Sequence, residues 1–111
     1  MVLIFTAVML FIPELAGNIL IGGDNGNNQN ITVAFPVGTP EGTVLSMPTS
    51  ASVSFNQYTD STNVAYVGYG KMKVIANNST TFEGYFYCDL HIVPSMVKSG
   101  TIKNGYFKIT K

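Results

Sequence analysis

The chain has 111 residues, with six lysines, no arginine and six carboxylates, so it has no formal net charge at pH 7. A neutral chain offers no long-range field to steer an anionic partner or grip a phosphate backbone, which argues against nucleic acid as a partner. Apolar residues make up 46% and charged residues 11%, about half the usual charged share, and the length suits a single all-β domain over 1–111 built on one core.

Met1 to Phe11 is almost wholly apolar. It falls short of the roughly 20 residues a spanning helix needs, and no Lys or Arg precedes it as in a signal peptide. Val2, Ile4, Phe5, Thr6 and Val8 are β-branched or aromatic, so a buried first strand is expected in preference to a retained signal remnant. Pro13 to Asn18 then reads as a turn and Ile19 to Ile21 as a short strand. Gly22 to Asn30, all Gly, Asp, Asn and Gln, reads as a mobile hairpin connection.

Ile31, Val33 and Phe35 share one face of the next strand. Pro36 to Gly42 is a turn, Thr43 to Met47 a short strand stopped by Pro48, and Ser52 to Tyr58 alternates polar with apolar. Val64 to Val67 and Lys71 to Ala76 form one long strand or two, broken at Gly68-Tyr69-Gly70, where missing side chains point to a bulge or a close backbone approach. Asn77 to Thr80 turns the chain into Thr81 to Ile92. There Phe82, Phe86, Cys88, Leu90 and Ile92 face one way, and Glu83, Tyr85, Tyr87, Asp89 and His91 the other. In the last strand, Thr101 to Thr110, a bulge at Asn104-Gly105 keeps Phe107 and Ile109 on the core face.

No apolar stripe has the period of a helix. Eight or nine short strands joined mainly by hairpins predict an antiparallel β-sandwich or a flattened β-barrel.

Chemistry is sparse in this pattern. Cys88 and His91, the only cysteine and histidine, are three apart on a strand and therefore on opposite faces, a poor dyad and no zinc set. Glu83 and Asp89 share a face but lie six residues apart, nearly 20 Å along a strand, too far for paired-carboxylate hydrolysis. Asp24 to Asn30 alternates oxygen donors, yet Asp24 is its only carboxylate and it lacks the bidentate Glu of a calcium loop. No cofactor or metal is expected. The sequons at Asn30, Asn77 and Asn78 are read as turn chemistry that matches a glycan acceptor by composition. The remaining candidates are Tyr85, Tyr87, Asp89 and His91, with Tyr66 or Tyr69 from a neighbouring strand, as an aromatic face for a glycan or a protein partner.

Several motifs recur in a set order: Phe5-Thr6-Ala7, Gly17 to Gly23, Ile31 to Pro36, Glu41 to Leu45, Gly70 to Val74, Phe82 to Phe86 and Ile102 to Phe107. In that order they resemble a family of small, uncharacterised exported lipoproteins of Bacteroidota. In that family an aromatic-x-Ala strand, a Gly-Thr-Tyr-x-Leu strand and a Ser-Gly-Thr-Phe hairpin precede a final Asn-Gly-x-Phe strand. Val44, Phe5 and Glu83 stand here where the family has Tyr, Trp and Ser. The resemblance implies export to the cell envelope or beyond; this sequence begins close to the family's second strand, without the lipid-bearing cysteine or the strand before it, and the resemblance supplies no catalytic residue. The resulting expectation is a non-enzymatic binding or scaffolding β domain, with a self-associating domain that pairs through exposed strand edges as the alternative.

Overall fold

The computed structural model describes residues 7–24, 28–58 and 61–110, with the backbone alone for 7–11. The described residues form eight strands and no helix: β1 (Ala7–Leu15), β2 (Asn18–Asp24), β3 (Gln29–Pro36), β4 (Val44–Met47), β5 (Ser52–Tyr58), β6 (Asn63–Asn77), β7 (Thr81–Ile92) and β8 (Lys98–Thr110). All pair antiparallel in one sheet, in the order β1-β2-β3-β5-β6-β7-β8, with β4 beside β6. Among the described residues the path from β1 to β8 does not close. The expected all-β hairpin architecture is present, as an open sheet that curls over and packs on itself.

The long strand β6 makes this possible. Its first part pairs with β5 from Tyr58↔Asn63 to Ser54↔Val67, its later part pairs with β4 from Met47↔Gly70 to Val44↔Lys73, and its other side pairs with β7 from Tyr66 to Asn77. Gly68-Tyr69-Gly70 does not break the strand. It is a close approach instead: a Cβ on Gly70 would fall on the Tyr87 carbonyl oxygen, and one on Gly68 would lie 2.9 Å from the Cys88 sulfur. The bulge in β6 comes later, between Val74 and Ala76.

Curling brings β3 over β7 and β8, which are not its neighbours in the sheet. Phe35, with no exposed surface, stacks on Phe107 with ring centroids 5.6 Å apart and meets the edge of Phe82 at 6.0 Å. Ile19, Val33, Val53, Phe55, Met72, Val74 and Leu90 complete the buried layer. Along β7 burial alternates as the sequence pattern predicts: Phe82, Gly84, Phe86, Cys88 and Leu90 are inside, while Tyr85 and Tyr87 are outside. Ile92 is half-buried.

Two glycines let the aromatic layer fit. Gly84 pairs with Phe107 and Phe86 with Gly105, so each phenylalanine lies across the glycine of the adjoining strand. The Phe107 ring would be 2.5 Å from a Cβ on Gly84, and the Phe86 ring occupies the place of a Cβ on Gly105. Gly84 therefore makes room for Phe107 of the neighbouring strand. The bulge expected near Asn104 is present: Lys103 and Asn104 both fall opposite Tyr87, between the pairs Phe86↔Gly105 and Cys88↔Ile102. It keeps Ile102 and Phe107 both buried although the four residues between them would put them on opposite faces of a regular strand.

Two expected turns are shorter than the sequence indicates. The strand β1 continues through Pro13 to Leu15, with Pro13 and Glu14 absorbed in a bulge between Ile12↔Leu20 and Leu15↔Asn18. The reversal is confined to Ala16 and Gly17, both with positive φ, as a two-residue hairpin turn requires. The polar stretch 22–30 is largely strand, because Gly22, Gly23 and Asp24 pair with Thr32, Ile31 and Asn30. Pairing from both sides overrides the weak strand propensity of those residues. The part of the first-run expectation covering 1–6 lies outside the described residues, as do Asn25, Gly26 and Asn27.

The aromatic-over-glycine packing makes a direct prediction. Gly84→Ala should lower stability by about 1–3 kcal/mol, as overpacking does in a filled core, seen as a lower urea midpoint with an unchanged slope.

Candidate functional site

On the outer face of β4, β6, β7 and β8 the antiparallel register sets side chains in rows. One row runs Val44, Lys73, Tyr85, Tyr106, and the next runs Ser46, Lys71, Tyr87, with Lys103 in the β8 bulge opposite Tyr87. A third joins Tyr69, Asp89 and Thr101, and His91 lies between Val67 and Lys98. All four sequence candidates, Tyr85, Tyr87, Asp89 and His91, thus stand on one face, and no second layer covers the tyrosines: Tyr85 is 52% and Tyr87 57% exposed.

The face divides into two parts. At one end Asp89 is held by the Thr101 hydroxyl, which donates at 3.2 Å, and by the Lys98 ammonium at 3.4 Å. His91 Nδ1 lies 3.0 Å from the Met96 carbonyl, and its ring meets Tyr69 edge-on with centroids 4.5 Å apart. These groups are engaged in holding β7, β8 and the turn between them. Tyr69 joins this part of the face, whereas Tyr66 does not: it lies on the inner side of β6 against Phe55, with centroids 5.5 Å apart.

At the other end, Tyr85 and Tyr87 overlook a shallow groove of about 490 Å³ lined by Val44, Lys71, Lys73 and Lys103. The Tyr85 ring leans on Tyr106, centroids 5.0 Å apart. The Tyr106 hydroxyl donates to the Glu83 carboxylate, and this bond holds its pKa up, to about 12 from an ordinary 10.0. Glu83 is therefore occupied by a phenol. Lys71 donates to the Ser46 hydroxyl at 2.7 Å, and among the described residues none of Lys71, Lys73 and Lys103 is paired with a carboxylate. Val44, 58% exposed, supplies an apolar rim.

Tyr106 and the three lysines were not among the sequence candidates, although their signal is present in the sequence. All six lysines lie in 71–111 together with two of the six carboxylates, Glu83 and Asp89. Neutrality of the whole chain hides this segregation, which gives the outer face a local positive potential that a summed charge does not register.

The remaining candidates fall to structural roles. Cys88 is buried on the inner face, opposite to His91, and burial, with the Asp89 charge adding to it, pushes its thiol up to about 11. Each sequon asparagine uses its side-chain nitrogen internally: Asn30 donates to the Tyr58 hydroxyl, Asn77 to the Thr39 carbonyl and Asn78 to Glu41. No cluster of three or more His, Cys, Asp or Glu side chains capable of holding a metal occurs among the described residues. No helix of the described residues is long and apolar enough to cross a membrane.

Compared with known proteins, the chain matches no protein-family model, no curated protein and no solved structure.

The environment of Cys88 gives a chemical test. A thiol held in its protonated form within the core should not react with Ellman's reagent at pH 8 on the native protein and should react in full in denaturant; comparable rates in both states would contradict its placement.

Proposed function

We propose that this protein is a non-catalytic binding module whose working surface is the outer face of β4, β6, β7 and β8. The observation that carries the reading is the exposure of Tyr85, Tyr87 and Tyr106 together, each about half accessible, on a rigid antiparallel scaffold. Tyrosine supplies contact area with a polar tip and loses little side-chain freedom on binding, and a flat ladder positions such groups better than a loop does. Glycans and proteins are the partner classes such a surface suits. The order of the strand motifs supports an exported location, in the cell envelope or outside the cell.

A second reading, self-association through strand edges, draws on the open sheet, whose first strand β1 has a partner on one side only among the described residues. An edge of this kind is a template for pairing with another chain. At the opposite end, Lys98, Lys103 and Lys108 stand along β8, the sort of charge that discourages such pairing.

Glycan and protein arrays probed with the wild type and with Tyr85→Ala/Tyr87→Ala test the primary reading. The substitutions are on exposed positions and should leave the thermal midpoint within a few degrees, while capture of the partner falls by at least about tenfold, the effect of losing one or two aromatic anchors. Unchanged capture by the double variant would contradict the reading. Light scattering that shows a concentration-dependent dimer insensitive to both tyrosines would favour the edge reading instead.

A further inference from the structure

The arrangement of charge around the tyrosines narrows the class of ligand. Lys71 and Lys73 alternate on β6, and Tyr87 and Tyr85 stand directly across from them on β7. Successive outward side chains on a strand are roughly 6.6–6.8 Å apart and neighbouring strands roughly 4.8 Å apart. A cationic row therefore runs beside an aromatic row, in register, with Lys103 in the β8 bulge flanking Tyr87 on the other side. The two strands run in opposite chain directions, but their rows lie side by side in register, so an extended ligand lying along them meets an aromatic platform and an ammonium at each step.

We propose that this face binds a linear anionic glycan, whose sugar rings lie on Tyr85 and Tyr87 and whose carboxylates or sulfates meet Lys71, Lys73 and Lys103. The proposal rests on the binding reading above and specifies its ligand. Charge complementarity carries it: of the two carboxylates on the outer face of β7, Glu83 accepts from the Tyr106 hydroxyl and Asp89 is paired with Lys98 and Thr101, and Lys71, Lys73 and Lys103 have no acidic partner among the described residues. Unpaired cations beside exposed aromatic rings call for a ligand that brings both negative charge and an apolar face. A pyranose ring with an acidic substituent has both.

Other polyanions and a second copy of the chain fit less well. Nucleic-acid affinity rests on many phosphate contacts, whereas this face has three lysines and the chain has no arginine for bidentate phosphate recognition. Tyr85 and Tyr106 already lean on each other, which leaves no slot for a base between them. A sugar requires only the outer side of a ring. A second copy would need an acidic face, but Glu14 stands beside the β1–β2 turn, Asp24 at the far end of β2, and Glu41 is engaged by Asn77 and Asn78.

The test is affinity measurement on the full chain with four probes: polygalacturonate, chondroitin sulfate, fully methyl-esterified polygalacturonate and an oligothymidylate. Binding to polygalacturonate or chondroitin sulfate is expected; binding of polygalacturonate shows that carboxylate suffices as the anion, whereas binding of chondroitin sulfate alone, which carries both carboxylate and sulfate, shows that a galacturonate carboxylate does not. For the bound polymer, added salt should weaken the complex. If polygalacturonate is the one bound, its esterified form should bind at least about tenfold less tightly. The variant Lys71→Gln/Lys73→Gln/Lys103→Gln, at exposed positions and with its thermal midpoint checked, should also lose at least about tenfold, a modest sum for three surface charges. Equal binding of the esterified polymer, sensitive to Tyr85→Ala/Tyr87→Ala and indifferent to salt, overturns the anionic assignment and leaves the binding reading standing. Tighter binding of oligothymidylate overturns it in favour of a nucleic acid. An unchanged affinity of the lysine variant, or no binding to any of the four, also overturns it, and the binding reading is then decided by the array experiment alone.

Discussion

The structure depends on the packing of Phe35 against Phe107, face to face, and against the edge of Phe82 across the inside of the curled sheet. Phe35 comes from β3, which is a neighbour of neither β7 nor β8 in the sheet, so its contact with their rings is what converts a row of hairpins into a folded object. Burying large aromatic side chains of this kind is among the strongest single contributions available to a small domain. It carries a steric condition, met at Gly84 and Gly105, where the absence of a Cβ lets Phe107 and Phe86 lie flat across the adjoining strand. Without that relief the β7–β8 pair could not carry two phenylalanines and still receive Phe35 from the other side.

Fixing the inner face of β7 also fixes its outer face, because side chains alternate strictly along a strand. Once Phe82, Gly84, Phe86, Cys88 and Leu90 are committed to the core, Tyr85 and Tyr87 have nowhere to point but outward, and the register with β6 and β8 determines which lysines and which tyrosine stand beside them. The surface proposed to bind is thus a by-product of the core in a literal sense. A single register slip in β7 would move both sets at once.

Much of this was legible in the sequence because period-two alternation is a strong signal in long strands. Thr81 to Ile92 and Ser52 to Tyr58 have the boundaries and faces that the pattern indicates, and the β8 bulge follows from the break in alternation between Ile102 and Phe107. Less legible were the strands whose composition argues against them. Gly22, Gly23 and Asp24 are held in β2 by pairing on both sides, and Pro13 survives in β1 because a bulge removes it from the ladder; both depend on partners distant in sequence. For the surface, Tyr85 and Tyr87 were visible by parity, whereas Tyr66 and Tyr69 could not be told apart until the register of β6 was known. The lysines were visible and were masked by summing charge over the whole chain, when their confinement to 71–111 is the informative quantity.

The central claim is that β7 separates a closed core face from an open binding face, and amide chemical-shift mapping tests it most directly. During titration with oligomers of the anionic glycan that is bound, progressive shifts should cluster at Lys71, Lys73, Tyr85, Tyr87, Lys103 and Tyr106, with Val33, Val53 and Leu90 unmoved. Shifts concentrated on β1 to β3, or none at saturating ligand, would contradict it.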